Sequence, residues 1–224
     1  MSEQNTYFQQ EILNKPLQKH GLLEELNLPP KAIKFIRQNK RNIIIGLVCC
    51  ALAIVGWSSL SYYLARQNDR AAALLAEAVG QDTVEKRKAI FQKIIADYGR
   101  TGSAMWAKVE LGHLAFAAQQ YDEAIRVYLE VRDDLGKSSP IFPLVQLNLA
   151  QAYENKNGLP EALAVYQGLA EIKGFAGESY LAMGRIHELQ KDLPKAKEMY
   201  AKALADESVS PALKEMVQAK LDRL

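Results

Sequence analysis

The chain has 224 residues, with 28 Lys and Arg against 26 Asp and Glu, and its formal net charge of +2 gives no electrostatic case for nucleic-acid binding. Both cysteines, Cys49 and Cys50, lie in one apolar run, so the rest of the chain cannot rely on disulfides even in an oxidising compartment. The sequence has no HExxH pair, phosphate-binding glycine loop or nucleophile elbow. We therefore expect no enzymatic activity, metal, cofactor or small-molecule substrate.

The N-terminal segment, residues 1–42, is polar and interrupted by proline and glycine. Two short helices are predicted, over residues 22–26 and 31–39, and the second could continue into the apolar run that follows. A basic cluster occupies the second helix and the residues just after it: Lys31, Lys34, Arg37, Lys40 and Arg41. Beside a membrane, such a cluster favours anionic lipid as a partner, whereas its simplest interpretation is a solvated linker.

An uncharged apolar run follows over residues 43–64. As a helix it would span about 33 Å, close to the hydrocarbon thickness of a bilayer. The run is too long, and too far from the N-terminus, for a cleaved signal peptide. We expect a transmembrane helix; the alternatives are a buried core helix or an unusual signal sequence.

The orientation of this helix is predicted from its flanks. The basic cluster before the run outweighs Arg66 and Arg70 after it, which places the N-terminus in the cytoplasm and the rest of the chain outside. Aromatic residues that favour the headgroup level stand near the outer end: Trp57, Tyr62 and Tyr63.

The apolar run also carries a stripe of small residues at helical spacing: Gly46, Cys49, Ala53 and Gly56. Small residues let helices approach closely in lipid, so this membrane stripe could dock another membrane helix. Small residues are also common in spanning helices with no such role.

Residues 65–79 keep a helical composition, and no Pro or Gly occurs before Gly80. Asp82, with Glu85 three residues later, resembles an N-terminal cap that would open a helix ending near Gly99. We expect these two segments to form a poorly conforming helix pair ahead of more regular repeats.

The regular repeats are three similar segments, YDEAIRVY at 121–128, LPEALAVY at 159–166 and LPKAKEMY at 193–200. Each has an alanine followed four residues later by a tyrosine on the same helical face. The pairs are Ala124 with Tyr128, Ala162 with Tyr166, and Ala196 with Tyr200. Further apolar helices are predicted upstream of the segments, over residues 104–118, 143–154 and 177–189.

The repeat alanines are 38 and 34 residues apart, which resembles the spacing of tetratricopeptide (TPR) repeats. An unrelated helical bundle would show less regular offsets. Residues 210–224 are predicted to form a terminal cap helix. The predicted fold is all-α, with a single N-terminal transmembrane helix followed by a TPR-like α-solenoid. The predicted domains are a cytosolic tail at 1–42, the transmembrane helix at 43–64 and the repeat domain at 65–224.

In a TPR stack the first helix of each pair lines the concave face, where peptides or partner helices bind. Counting back from the repeat alanines gives a candidate partner groove: Trp106, Val109, His113, Phe116, Leu147, Gln151, Glu154, Leu181, Arg185 and Glu188. Trp106 and Phe116 could instead be core residues.

The two ends of the chain carry a family resemblance. The residues that carry it are IKFIRQNKRN at 33–42, the pair Gly56-Trp57, and PALKEM at 211–216. Over residues 31–224 the chain resembles the YfgM-type ancillary subunit of the Sec translocon. The resemblance implies a bacterial inner-membrane protein with a periplasmic repeat domain. It also implies partners: a SecYEG-type translocon and a PpiD-type membrane-anchored periplasmic chaperone, with assistance to proteins emerging from the channel.

The expected function is therefore a non-enzymatic, membrane-anchored TPR adaptor at the Sec translocon. The alternative is a general envelope scaffold for outer-membrane biogenesis or cell division. A third possibility, an enzyme or its regulatory subunit, has no chemical constellation in the sequence to support it.

Overall fold

A computed structural model describes residues 29–224, and all regular structure in that part of the chain is α-helical. The predicted helix at residues 22–26 lies outside the described residues. The chain divides into two compact units, one ending at Tyr62 and the other comprising Tyr63–Leu224.

The first unit contains α1 (Pro30–Gln38) and the start of α2 (Lys40–Val79). Asn39 ends α1, because its φ of −107° and ψ of 17° lie outside the α-helical range. Its backbone N–H and its side-chain Nδ2 both donate to the carbonyl of Phe35, at 2.9 and 3.1 Å. The two helices are therefore separate elements. Among the described helices, α2 alone is long and apolar enough to cross a membrane.

The second unit is a series of helices in which each contacts the next along the chain, from α3 to α10. The helices after α2 are α3 (Val84–Tyr98), α4 (Gly102–Ala117), α5 (Tyr121–Asp134), α6 (Phe142–Asn155), α7 (Leu159–Ala170), α8 (Ala176–Leu189), α9 (Leu193–Ala205) and α10 (Pro211–Leu221). Short connections between contacting helices make each pair antiparallel. The pairs α4–α5, α6–α7 and α8–α9 are the three predicted repeats, and α10 is the predicted terminal helix.

The repeat alanines and tyrosines form the core of each pair. Ala124, Ala162 and Ala196 are fully buried. The tyrosines that follow them are at most 2% exposed: Tyr128, Tyr166 and Tyr200. The predicted inward face of the second helices is thus confirmed. An earlier helix pair is also present, since Ala71 and Ala78 of α2 share a core cluster with Phe91 and Ile94 of α3.

Each first helix ends in the same turn, which the sequence did not reveal. Gln119, Asn157 and Lys191 have φ of 60, 69 and 61° and stand at equivalent positions, five residues before the repeat alanine. In each case the next residue donates its N–H to a carbonyl five residues back, at 2.8–2.9 Å, as in a Schellman motif. This turn reverses the chain so that the second helix returns along the first.

One predicted cap was wrong by one residue. The N-cap of α3 is Thr83 rather than Asp82, because the Thr83 side chain accepts the backbone N–H of Lys86. Glu85 then lies in the first turn of the helix, where a carboxylate interacts favourably with the helix dipole. Pro160 and Pro194 fall in the first turns of α7 and α9, where a missing N–H costs little.

Candidate partner-binding site

The first helices of the repeats, α4, α6 and α8, together with α10, form what we call the first-helix face. Polar contacts join each helix of this face to the next: His113 to Asn148, Glu154 to Arg185, and Glu188 to Lys220. Equivalent positions can therefore be compared across the repeats by counting back from each repeat alanine.

The position eighteen residues before the repeat alanine holds Trp106 in the first repeat, Leu144 in the second and Glu178 in the third. Trp106 is 40% exposed and Leu144 is 44% exposed. Two large apolar side chains thus stand exposed at equivalent places on neighbouring helices. The third repeat has a carboxylate at that place.

Between these two side chains lies a cavity of about 220 Å³, the α4–α6 cleft. Val109 and Val145, both nearly fully buried, supply its apolar floor. The complete lining is Trp106, Val109, His113, Ile141, Leu144, Val145, Leu147 and Asn148. The cleft is therefore a mostly apolar depression on the first-helix face.

His113 provides the polar end of the cleft. Its Nε2 lies 2.9 Å from Asn148 Nδ2, and because that amide nitrogen is a donor, Nε2 accepts and the neutral ring carries its hydrogen on Nδ1. Nδ1 faces Glu110 Oε2 at 3.5 Å. The ring also meets Tyr128 edge-on, with centroids 6.0 Å apart. These contacts hold the imidazole in one orientation between α4 and α6.

The next two junctions of the face carry charged bridges instead. Glu154 accepts from Arg185 Nη2 at 2.7 Å and from the Tyr166 hydroxyl at 3.3 Å. Glu188 accepts from the Tyr200 hydroxyl at 2.8 Å and pairs with Lys220 Nζ at 2.8 Å. Each bridge joins an acid on a first helix, the repeat tyrosine and a cation from the next helix of the face.

Within the bridges, the pKa of the acid Glu188 is lowered, whereas the pKa values of the tyrosines are raised. Hydrogen bonds from Lys220 and then from Tyr200 lower the pKa of Glu188 below its ordinary value. Burial raises the pKa of Tyr166, and burial followed by the bond to Glu188 raises that of Tyr200. Both tyrosines therefore remain neutral donors and Glu188 an ionised acceptor at neutral pH.

The first junction lacks such a bridge because its residues differ. Phe116 stands where Glu154 and Glu188 stand in the later repeats, and Gln151 stands where Arg185 stands. Phe116 meets Tyr121 edge-on, with centroids 5.5 Å apart. The first-helix face is thus mostly apolar at the α4–α6 junction and charged at the two junctions that follow.

The structure distributes the predicted groove residues among three roles. Trp106, His113 and Leu147 line the α4–α6 cleft, and Val109 belongs to the core beneath it rather than to an open surface. Charged bridges engage Glu154, Arg185 and Glu188. The remaining groove residues are half-buried: Phe116, Gln151 and Leu181.

Sequence reasoning missed four residues of the cleft, and Leu144 is the exposed one among them: Ile141, Leu144, Val145 and Asn148. The signal was present, since Leu144 precedes Ala162 by the same eighteen residues that separate Trp106 from Ala124. Whether any of these residues contacts a partner remains a prediction.

In α2, the membrane stripe lies on the surface of the first unit. All four of its residues are exposed, and a Cβ added at Gly46 or Gly56 would meet nothing within 4 Å. Within residues 29–224 no group of three or more His, Cys, Asp or Glu side chains is placed to hold a metal ion.

Comparisons with known proteins identify the repeats. The family profile described as "Tetratricopeptide repeat-like domain" matches residues 34–224. The solved structure of BtubC (BKLC) from P. vanneervenii is 16% identical, with 71% of this chain and 82% of that chain covered and a TM-score of 0.55. TPR-like repeats of a kinesin light chain from Podosopora anserina are 20% identical, with 72% and 84% covered and a TM-score of 0.50. Among curated proteins no sequence matches.

Identities this low establish the fold alone, an all-helical TPR-like solenoid. Scaffolds of this type are generally non-catalytic and bind protein partners. Because the family profile spans most of the sequence, the chain belongs to the tetratricopeptide repeat-like domain family.

Proposed function

We propose that this protein is a membrane-anchored adaptor that captures a segment of a partner protein in the α4–α6 cleft, without enzymatic activity. The observation that carries the proposal is the pairing of exposed Trp106 and Leu144 over a buried valine floor. Large apolar side chains around a desolvated pocket are typical of the residues that dominate binding energy at protein interfaces.

The size of the cleft favours a protein side chain as its occupant. Small-molecule sites usually enclose roughly 300–1,000 Å³, whereas the cleft has about 220 Å³. A single leucine or phenylalanine projecting from a partner helix or extended segment would fill such a space. Asn148 supplies hydrogen-bonding groups for the backbone of the same segment, because its side-chain amide combines donors and an acceptor.

The anchor in this proposal is the apolar part of α2. Its large side chains are exposed, including Leu52, Ile54 and Trp57 at 66, 68 and 75%. Side chains of this kind over an uncharged stretch suit a lipid environment. The basic cluster before it supports an N-terminus in the cytoplasm and a repeat domain outside, which in a bacterium is the periplasm.

The partners we propose are a SecYEG-type translocon and a PpiD-type periplasmic chaperone. The support comes from the resemblance at the two ends of the chain, residues 33–42 with Gly56-Trp57 and residues 211–216. An adaptor at that place would meet proteins as they leave the channel. The alternative is a scaffold for outer-membrane biogenesis or cell division, which would use the same cleft for a different partner.

Truncation of the cleft tests the proposal. Trp106→Ala and Leu144→Ala should each reduce co-purification of translocon and chaperone in mild detergent by about tenfold or more, since truncating an interface anchor costs roughly 1–2 kcal/mol or more. Leu189→Ala is the matched control, because Leu189 is 64% exposed at the end of α8, away from the cleft.

Helicity measured by circular dichroism should be unchanged in all three variants. Undiminished co-purification with both cleft variants would show that the cleft does not bind the partner. Recovery of envelope-assembly proteins in place of the translocon would favour the scaffold alternative.

A further inference from the structure

Helix α1 segregates its apolar and charged side chains on opposite sides. At about 100° per residue, Ala32, Ile33, Phe35 and Ile36 fall within one half of the helix circumference, and the other half holds the cations. The cations of α1 are Lys31, Lys34 and Arg37, and α1 contains no acidic residue. The helix is therefore amphipathic, and its polar side holds three cations and Gln38 but no acidic residue.

None of the residues of α1 is buried in the described part of the chain. Phe35, at the edge of the apolar side, is 61% exposed. An exposed aromatic ring on a helix with a strongly cationic opposite side is typical of helices that lie in the membrane interface.

The regular helical backbone is interrupted at Asn39, between α1 and α2. Because Asn39 has φ −107° and ψ 17°, outside the α-helical range, and α2 begins at Lys40, α1 is not a continuous extension of α2. Lys40 and Arg41 follow at once, so positive charge continues up to the start of the apolar run.

We infer that α1 lies in the plane of the cytoplasmic membrane surface and binds anionic phospholipid. Its apolar side enters the boundary between headgroups and acyl chains, while Lys31, Lys34 and Arg37 contact phosphate and other anionic headgroup oxygens. This inference rests on the proposed membrane span by α2. A helix of nine residues would bind lipid weakly alone, but its attachment to a spanning helix makes the contact intramolecular.

Electron paramagnetic resonance on the full-length protein in vesicles tests the inference. Spin labels are placed singly at Ile36→Cys on the apolar side, Lys34→Cys on the cationic side and Ile54→Cys in the apolar run. The background carries Cys49→Ala and Cys50→Ala, which removes both native cysteines. Accessibility to oxygen, which partitions into lipid, is compared with accessibility to a water-soluble nickel chelate.

In vesicles of phosphatidylcholine with phosphatidylglycerol, the label at position 36 should be severalfold more accessible to oxygen than to the nickel chelate. The label at position 34 should be more accessible to the nickel chelate than to oxygen. Equal nickel access at 34 and 36 would overturn the inference, as would protection at 36 from both reagents, which would indicate a protein contact. A label at 54 that is open to nickel would overturn the membrane span as well, so the two failures are distinguishable.

Neutralisation of two cations of α1 provides a second test. The double variant Lys31→Gln and Lys34→Gln should raise nickel access at 36 by severalfold, and so should vesicles of phosphatidylcholine alone. The matched control, Lys173→Gln and Lys197→Gln, removes two exposed cations from the repeat domain and should leave position 36 unchanged. An equal effect of both double variants would refute a specific role for the cations of α1.

Discussion

Two glycines show how closely the helices of a repeat approach. Gly112 and Gly184 stand at equivalent positions on α4 and α8, opposite the tyrosines of their own repeats. A Cβ at Gly112 would lie 2.5 Å from Tyr128 Cε1, and one at Gly184 would lie 2.6 Å from Tyr200 Cε1. In the first and third repeats the tyrosine thus occupies the space that a Cβ would enter, whereas the second repeat has Ala150 at the equivalent position.

Gly112→Ala and Gly184→Ala should therefore destabilise the repeat domain, each by about 1–3 kcal/mol, as expected for overfilled cores. Gly168→Ala is the matched control, since a Cβ at Gly168 meets nothing within 4 Å in helix α7. That change should stabilise by roughly 0.5–1 kcal/mol through helix propensity. Urea unfolding followed by circular dichroism measures all three, and a neutral result at both 112 and 184 would refute the close approach.

The bridge at Glu188 makes stability depend on pH at a single residue. Its folded pKa lies below its ordinary value of 4.5, so the bridge contributes fully above that value and is lost as pH falls through the folded pKa. We expect the free energy of unfolding to fall less steeply below about pH 4.5 in Glu188→Gln than in the native protein.

Glu207→Gln, which changes an exposed glutamate, should retain the native pH slope. If Glu188→Gln and Glu207→Gln gave the same slope, the bridge would have no part in acid sensitivity.

At the scale of elements, periodicity predicted the repeat helices because their buried alanines and tyrosines recur at fixed offsets. It did not predict the Schellman turns, since Gln119 and Lys191 adopt positive φ without the glycine that usually signals it. Periodicity also could not distinguish side chains that face solvent from side chains that form an ion pair with a neighbouring helix. Arg185 and Glu154 look like free groove residues in sequence, yet they bond to each other because adjacent first helices bring residues 31 positions apart together.

The membrane stripe of α2 is a second surface argued at this scale. Gly46→Leu with Gly56→Leu should reduce recovery of a membrane partner, because bulky side chains prevent close helix approach in lipid. Ala51→Leu with Ser58→Leu is the matched control, since both residues lie on the opposite side of the helix.

Equal recovery from the stripe and control variants, both measured by co-purification in mild detergent, would exclude the stripe as a docking surface. Retained recovery in the stripe variant combined with loss in the cleft variants would assign partner capture to the repeat domain alone.

At the scale of the whole molecule, the three repeats have equivalent buried residues but different surfaces. Their buried alanines and tyrosines recur at fixed offsets, so the fold could be predicted from sequence. The functional difference lies in substitutions at equivalent exposed positions, where Trp106 and Leu144 give way to Glu178 in the third repeat. A repeat pattern alone cannot rank these positions, because the cleft arises only where two apolar first helices become neighbours.

Site-specific photocrosslinking in native membranes most directly tests the central claim that a partner segment binds in the α4–α6 cleft. A photoreactive phenylalanine is placed at Leu144, and in a parallel variant at Glu178, the equivalent position of the third repeat. We predict a strong crosslink from position 144 to a translocon or chaperone subunit and a much weaker crosslink from position 178. Absence of a crosslink at 144, or equal crosslinking from both positions, would contradict capture of a partner in the α4–α6 cleft.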